Sequence, residues 1–233
     1  MNIALLTAAG MGTRMNLDIP KQFLYINGKP VILHTMEAFQ KHPQIDAIII
    51  VTLEEWKENI EAYARENGIT KLKWIVEGGK TGQESIKNGI KELAKSCRKT
   101  DAVMIHDGNR PFVSAEIISD SLVVFKKYGS AVAAIPCIEA IFRSSDGRSS
   151  NDSIPREQLF RTQTPHTYTL DKMLWAHEKA EELNIQNTTA TCVLMQELGE
   201  CIYFSKGSEK NLKLTTQDDL DIFKAMLIMG ENK

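Results

Sequence analysis

Four polar loops carry the residue types that could do chemistry. The first reads Ala8-Ala9-Gly10-Met11-Gly12-Thr13-Arg14-Met15 and continues to Pro20-Lys21-Gln22. Glycines at 10 and 12 let the backbone approach a ligand and offer N–H donors to phosphate oxygens, while Arg14 and Lys21 add positive charge. That set suits a triphosphate. It is not a dinucleotide fingerprint, because Met15 stands where the third glycine of G-x-G-x-x-G is needed, and no G-K-[ST] follows as a P-loop requires. The second loop, Glu77-Gly78-Gly79-Lys80-Thr81-Gly82-Gln83-Glu84-Ser85, is donor-rich. Its amides and the Ser85 hydroxyl could read a base or hold a phosphate, or Gln83 and its neighbours could simply cap the following helix.

The third loop is Ile105-His106-Asp107-Gly108-Asn109-Arg110-Pro111-Phe112. A carboxylate in the position of Asp107 can hold Mg²⁺ against a nucleotide phosphate, since hard cations take oxygen ligands and share them with phosphates. Arg110 could instead pair with Asp107 and fix the loop, and His106 reads as a packed strand residue. The fourth set is dispersed: Arg156, Thr164, Thr189 and Lys213. Lys213 stands out within Asn211-Leu212-Lys213-Leu214-Thr215-Thr216, just before a capped helix start. Neither the remaining histidines nor the four cysteines show metal-ligand spacing, and the thiols are expected to be free and mostly buried.

Apolar β-branched runs and segments of helical period alternate along the chain and would position these loops. Strands are expected at 2–7, 47–53, 72–77, 102–106, 131–135 and 201–205, with helices from Pro30 to Phe39, 54–67, 83–96, 115–129, 170–183 and from Thr216 onward. Such alternation predicts an α/β fold, a doubly wound, mostly parallel sheet whose ligands sit beyond the carboxyl ends of the strands. One stretch breaks the pattern. Ser144 to Ser153 is rich in turn residues and is flanked by segments able to form short strands, so it predicts a β-arm leaving the main sheet.

The chain has 233 residues, 42% of them hydrophobic, enough for one sizeable core. Its formal net charge of −2 offers no basic field for a nucleic-acid backbone, so any nucleotide bound should be small. No apolar run approaches the roughly 20 residues a bilayer span needs. The start, Met1-Asn2-Ile3-Ala4, has no basic region ahead of its short apolar run, so a cytoplasmic protein without membrane partners is expected.

In order, these loops resemble the 2-C-methyl-D-erythritol 4-phosphate cytidylyltransferases and the similar ribitol-5-phosphate cytidylyltransferases. The likeness runs through A-A-G-x-G-x-R-M at 8–15, P-K-Q-F at 20–23, G-x-P-V at 28–31, G-G-x-x-x-x-x-S at 78–85 and I-H-D-x-x-R-P-F at 105–112. It continues through Q-T-P at 163–165 and N-x-K-x-T-T-x-D-D-L at 211–220. The resemblance implies a single nucleotidyltransferase domain of Rossmann-like type over 1–233, with an arm at 137–169 that makes a homodimer. It implies that CTP and a small polyol phosphate give a CDP-polyol and pyrophosphate with Mg²⁺. Ala8, Ala9, Gly10, Gly12, Gly79 and Ser85 would then cradle CTP. Arg14 and Lys21 would stabilise the triphosphate and departing pyrophosphate, Asp107 would face the metal, and Lys213 would hold the α-phosphate and the acceptor phosphate. Arg156, Thr164 and Thr189 would serve the acceptor, Arg156 in the partner's site.

The departures lie largely on the acceptor side. Ala140 stands where the family has a threonine, Thr189-Ala190-Thr191 lacks the family's carboxylates, His166 follows Gln163-Thr164-Pro165 in place of glutamine, and Gly82 replaces an arginine. Sites built to bond particular hydroxyls reject acceptors that lack them, so these losses point to ribitol phosphate, glycerol phosphate or a similar acceptor used for surface polymers. The alternatives are the methylerythritol phosphate reaction of isoprenoid synthesis and a CTP-binding protein without turnover. A dinucleotide oxidoreductase lacks its third glycine.

Overall fold

The computed structural model describes residues 1–10 and 19–231. Strand β1 (Asn2–Ala8) leads to a 3₁₀ turn at Lys21–Phe23 and a small hairpin of β2 (Tyr25–Ile26) and β3 (Lys29–Pro30). Then follow α1 (Val31–Lys41), β4 (Ala47–Thr52), α2 (Lys57–Glu66), β5 (Leu72–Glu77), α3 (Gly82–Leu93), β6 (Ala102–Asp107), α4 (Ala115–Tyr128) and β7 (Ser130–Pro136). The second half adds β8 (Ile141–Arg143), β9 (Asp152–Ile154), β10 (Phe160–Thr169), α5 (Leu170–Glu182), α6 (Thr191–Glu197), β11 (Phe204–Lys206) and α7 (Gln217–Glu231).

Seven strands form the main sheet in the order β11-β7-β10-β6-β1-β4-β5, parallel except for β10. The period-2 pattern of β1 shows why helices cover both faces. Ala4 and Leu6 join one buried cluster with Ile32, Met36, Ile60 and Ile117, while Ile3 and Leu5 join another with Ile90, Leu170 and Leu194. Each such fully buried side chain stabilises the fold by roughly 1.5–3 kcal/mol. Helix starts follow local chemistry: the hydroxyls of Thr81, Ser114 and Thr169 accept the N–H groups of Glu84, Ile117 and Lys172. Gly129 ends α4 at φ +80°, as a left-handed C-cap requires. No helix among the described residues is long and apolar enough to cross a membrane.

The expected α/β architecture is present, with four differences. The stretch read as an arm over 137–169 is only partly one. The hairpin β8–β9 stands apart as its own two-stranded sheet, but Phe160–Thr169 is a strand of the main sheet, antiparallel between β6 and β7. The segment was expected to form a short strand flanking the arm, and in the sheet its Gln163, His166 and Thr167 are buried. Helix α6 was not foreseen, and the strand expected over 201–205 lies at Phe204–Lys206, where pairing with β7 begins. The four thiols are free, but only Cys137 and Cys192 are buried, and Cys201 is exposed.

Candidate active site

Strand β1 is flanked by β4 on one side and β6 on the other, so a crevice opens beyond its carboxyl end. Ala8, Ala9, Gly10, Lys21, Gly79 and Ser85 line a cavity there of about 560 Å³, together with Asp107 and Lys213. Gly12 and Arg14 lie outside the described residues. Gln22 shapes the first loop: its side chain is buried, and Nε2 donates to the carbonyls of Ala8 (2.6 Å) and Gly10 (3.0 Å). Ser85 shapes the second, accepting from the Gly79 N–H at 3.0 Å and donating to the Thr81 carbonyl at 2.8 Å. Ser85 therefore holds the loop in place, and Gly79, Lys80, Thr81 and Gly82 of the same loop line the cavity.

The two loops touch at Gly78. A Cβ on Gly78 would sit 2.3 Å from the Ala9 Cβ, and neither loop can yield without losing its internal bonds. Gly78→Ala is expected to raise the KM for the nucleotide at least about tenfold, measured by steady-state kinetics. An unchanged KM would mean that the loop spacing is irrelevant to binding.

At the end of β6, three charged groups meet. Asp107 Oδ2 accepts from Arg110 Nε at 2.9 Å and lies 3.1 Å from Lys213 Nζ. Burial alone would raise the Asp107 carboxyl, but Lys213 and Arg110 outweigh it and hold the group well below the usual carboxylate range. The backbone fixes the cluster on every side. The Asp107 N–H donates to Thr164 Oγ1 (3.0 Å), and that hydroxyl is 3.0 Å from His106 Nδ1. His106 Nε2 lies 3.2 Å from the Arg110 carbonyl. Burial lowers the His106 pKa to about 4, so the ring is neutral, and the one tautomer that satisfies both contacts carries its proton on Nε2. Arg110 Nη1 donates to the Asn211 carbonyl (2.7 Å), and Asn109 Nδ2 to that of Leu214 (2.6 Å), locking Lys213 beside Asp107.

A second cavity of about 370 Å³ opens from the same charged cluster toward α3, α5 and α6. Thr7, Gly82, Asp107 and Lys213 line both cavities, and Thr164 and Thr189 line the second. Gln83, at the start of α3, builds one wall. Its Nε2 donates to the Ile185 carbonyl (2.9 Å), and its Oε1 accepts from the Thr188 N–H (3.0 Å) and hydroxyl (3.2 Å). The nucleotide-side helix and the segment bearing Thr189 are thus tied by one side chain.

Arg156 is not brought to this cluster. It lies on a 3₁₀ turn beside the arm, lines neither cavity, and donates from Nη1 to the Ile138 carbonyl at 3.0 Å. Gln22, Gln83, Asn109 and Asn211 are the positioning residues that sequence reading passes over, because an amide's value depends on which distant carbonyl it meets. Gln22 and Asn211 had local signals, their places in the Pro-Lys-Gln-Phe and Asn-x-Lys-x-Thr-Thr blocks.

The family model for IspD, 2-C-methyl-D-erythritol 4-phosphate cytidylyltransferase, matches residues 2–229. A ribitol-5-phosphate cytidylyltransferase from Lacticaseibacillus paracasei is 41% identical over 229 residues, covering 97% of this chain and 98% of that protein. A 2-C-methyl-D-erythritol 4-phosphate cytidylyltransferase from Clostridium novyi is 37% identical over 227 residues, covering 97% of this chain and 96% of its own. Among solved structures, 4-diphosphocytidyl-2C-methyl-D-erythritol synthase from Anaerococcus prevotii superposes with a TM-score of 0.82 over 97% of this chain and 98% of that one. At 23% identity, that likeness speaks to the fold.

Proposed function

The chain belongs to the IspD family of cytidylyltransferases, and from that premise we propose that it transfers CMP from CTP to a small open-chain polyol phosphate, ribitol or glycerol phosphate or a close relative. The observation that carries this reading is the pair of cavities joined at Asp107 and Lys213, one suited to a nucleotide and one to a second substrate. A phosphate oxygen of the acceptor attacks the α-phosphorus of CTP, the bond from that phosphorus to the oxygen bridging to the β-phosphate breaks, and pyrophosphate leaves with the electron pair. The attacking oxygen is already an anion, so the step needs alignment and charge stabilisation more than a general base. Lys213 would draw both phosphates to the junction, while Lys21, with Arg14, would hold the triphosphate and the departing pyrophosphate.

Mg²⁺ fits this donor set in one way. Among the described residues no cluster of three or more His, Cys, Asp or Glu forms a cation cage, which matches the Mg²⁺ habit of taking one carboxylate, substrate phosphates and water. Asp107 would be that carboxylate, and the bound ion would neutralise charge on the phosphates. Arg156 lines neither cavity of its own chain, which supports a homodimer in which the arm carries it, as an acceptor ligand, into the second copy. We place the enzyme in the cytoplasm, where CTP is made, supplying a CDP-polyol for surface polymers.

The family description and the Clostridium novyi relative favour a second reading, methylerythritol phosphate as the acceptor. Pyrophosphate release with CTP and Mg²⁺ across ribitol, glycerol and methylerythritol phosphates decides between them. Release with an unbranched polyol phosphate and little with methylerythritol phosphate is expected. The reverse preference would return the protein to isoprenoid synthesis, and CTP binding without release from any acceptor would mark a protein that has lost turnover.

Two variants test the roles. Lys21→Ala is expected to lower kcat/KM at least about tenfold, roughly 1.4 kcal/mol of transition-state stabilisation, and unchanged turnover would remove Lys21 from the triphosphate site. Arg156→Ala should raise the acceptor KM much more than that for CTP. Equal effects on both would argue against its place at the acceptor.

A further inference from the structure

We propose that His166 and His177, on the inner wall of the second cavity, determine acceptor specificity by hydrogen bonding to the hydroxyls at the end of the polyol chain remote from its phosphate. This inference rests on the acceptor reading above and goes beyond it by assigning a part of the cavity to the chain's far end. Both residues line the cavity and are more than nine-tenths buried, yet His166 Nδ1 and His177 Nε2 have no hydrogen-bond partner. Buried polar atoms left unpaired cost free energy, so an orphan nitrogen beside a cavity is a place where a ligand is rewarded.

The other long polar side chains of this wall are already engaged. Gln83 is committed to Ile185 and Thr188, Gln163 donates to the Ser208 carbonyl and accepts from its N–H, and Thr164 is held between Asp107 and His106. Both nitrogens are covered, so on ligand entry each imidazole must turn about its Cβ–Cγ bond to bring a ring nitrogen to the cavity that both residues line. Ile86, Ile105, Val193 and Leu194 line the same cavity and offer apolar contact to a carbon chain.

Charge sorts the two ends of the ligand. Lys213 at the junction with the nucleotide cavity receives the phosphate. Burial lowers both histidines to about 4, so near neutral pH each ring is uncharged and suits a hydroxyl, which both donates and accepts, better than a second anion.

The test compares kcat/KM at saturating CTP for glycerol 3-phosphate, erythritol 4-phosphate and ribitol 5-phosphate in wild type and His177→Phe, which keeps a ring and removes the nitrogens. A loss that grows with chain length, reaching at least tenfold for ribitol 5-phosphate, is expected. An equal loss for all three, or none, would overturn the proposal, because nitrogens that merely hold water or pack the core do not count carbons. Ring-nitrogen NMR shifts in the wild-type protein give a second readout that does not depend on the variant folding. His166 and His177 should respond to ribitol 5-phosphate and not to glycerol 3-phosphate, and silence with both would equally overturn it. Wild-type turnover of any of these acceptors tests the acceptor reading by itself, so the two can fail separately.

Discussion

Asp107→Asn is expected to lower kcat/KM for CMP transfer at least about a hundredfold, roughly 2.7 kcal/mol of transition-state stabilisation. The substitution keeps the shape of the side chain and removes its charge. In the native site one oxygen, Oδ2, receives both Arg110 Nε and Lys213 Nζ, with the Asp107 and Arg110 side chains only 17% and 11% exposed. An amide there satisfies at most one cation and leaves two positive charges facing each other at the junction of the cavities. Lys213 would swing away from the position where both substrate phosphates meet. The proposed Mg²⁺ carboxylate is lost as well, so the Mg²⁺ concentration for half-maximal rate should rise. Removing one member of a largely buried ion pair also costs about 3–5 kcal/mol of stability. A melting curve run beside the kinetics separates the effects. A lower Tm with undiminished turnover in the folded fraction would make Asp107 a purely structural anchor and sink the catalytic assignment.

Acidification to pH 5 is expected to remove on the order of 6 kcal/mol of folding stability, comparable to the whole margin of many domains. Burial lowers His106, His166 and His177 from 6.5 to about 4. Between these values the unfolded chain takes up protons that the folded chain refuses. The contribution of these residues is therefore fully present above pH 6.5 and is lost as pH falls toward 4, each costing about 2 kcal/mol by pH 5. Asp107, held low by Lys213 and Arg110, acts in a different window: its contribution persists at pH 5 and disappears only in stronger acid. Urea midpoints at pH 8, 6.5 and 5 measure the effect. His177→Phe should shrink the drop by about 2 kcal/mol, the share of its own ring. A midpoint independent of pH between 8 and 5 would show that these rings are not held neutral by the fold.

The sequence by itself determined everything that depends on neighbours a few residues apart. The apolar run of β1, the capped helix start at Thr216, the glycine turn ending α4 and the glycine-rich loops after β1 and β5 were all legible, and so was the family likeness carried by the loops in order. These features follow from backbone geometry and side-chain period within a single element, and the physics is complete within that span. Asp107 and Lys213 could be picked out by residue type and place in a loop, and Thr164 and Thr189 by the family likeness.

Only the tertiary structure decided how these pieces meet. Phe160–Thr169 was read with the arm because it flanks the turn-rich stretch 144–153. Its second half is buried in the sheet, where β6 and β7 satisfy its backbone and Gln163 finds Ser208. The Asp107–Lys213 contact joins residues from opposite halves of the chain, and Gln83 reaches Ile185 and Thr188 across a comparable span. Arg156, matched by spacing, proved remote from both cavities of its own chain. A polar side chain changes from a solvated surface group to a positioning residue when burial removes water and leaves one distant partner within reach. That partner is set by the packing of strands and helices far apart in sequence, which no local pattern encodes.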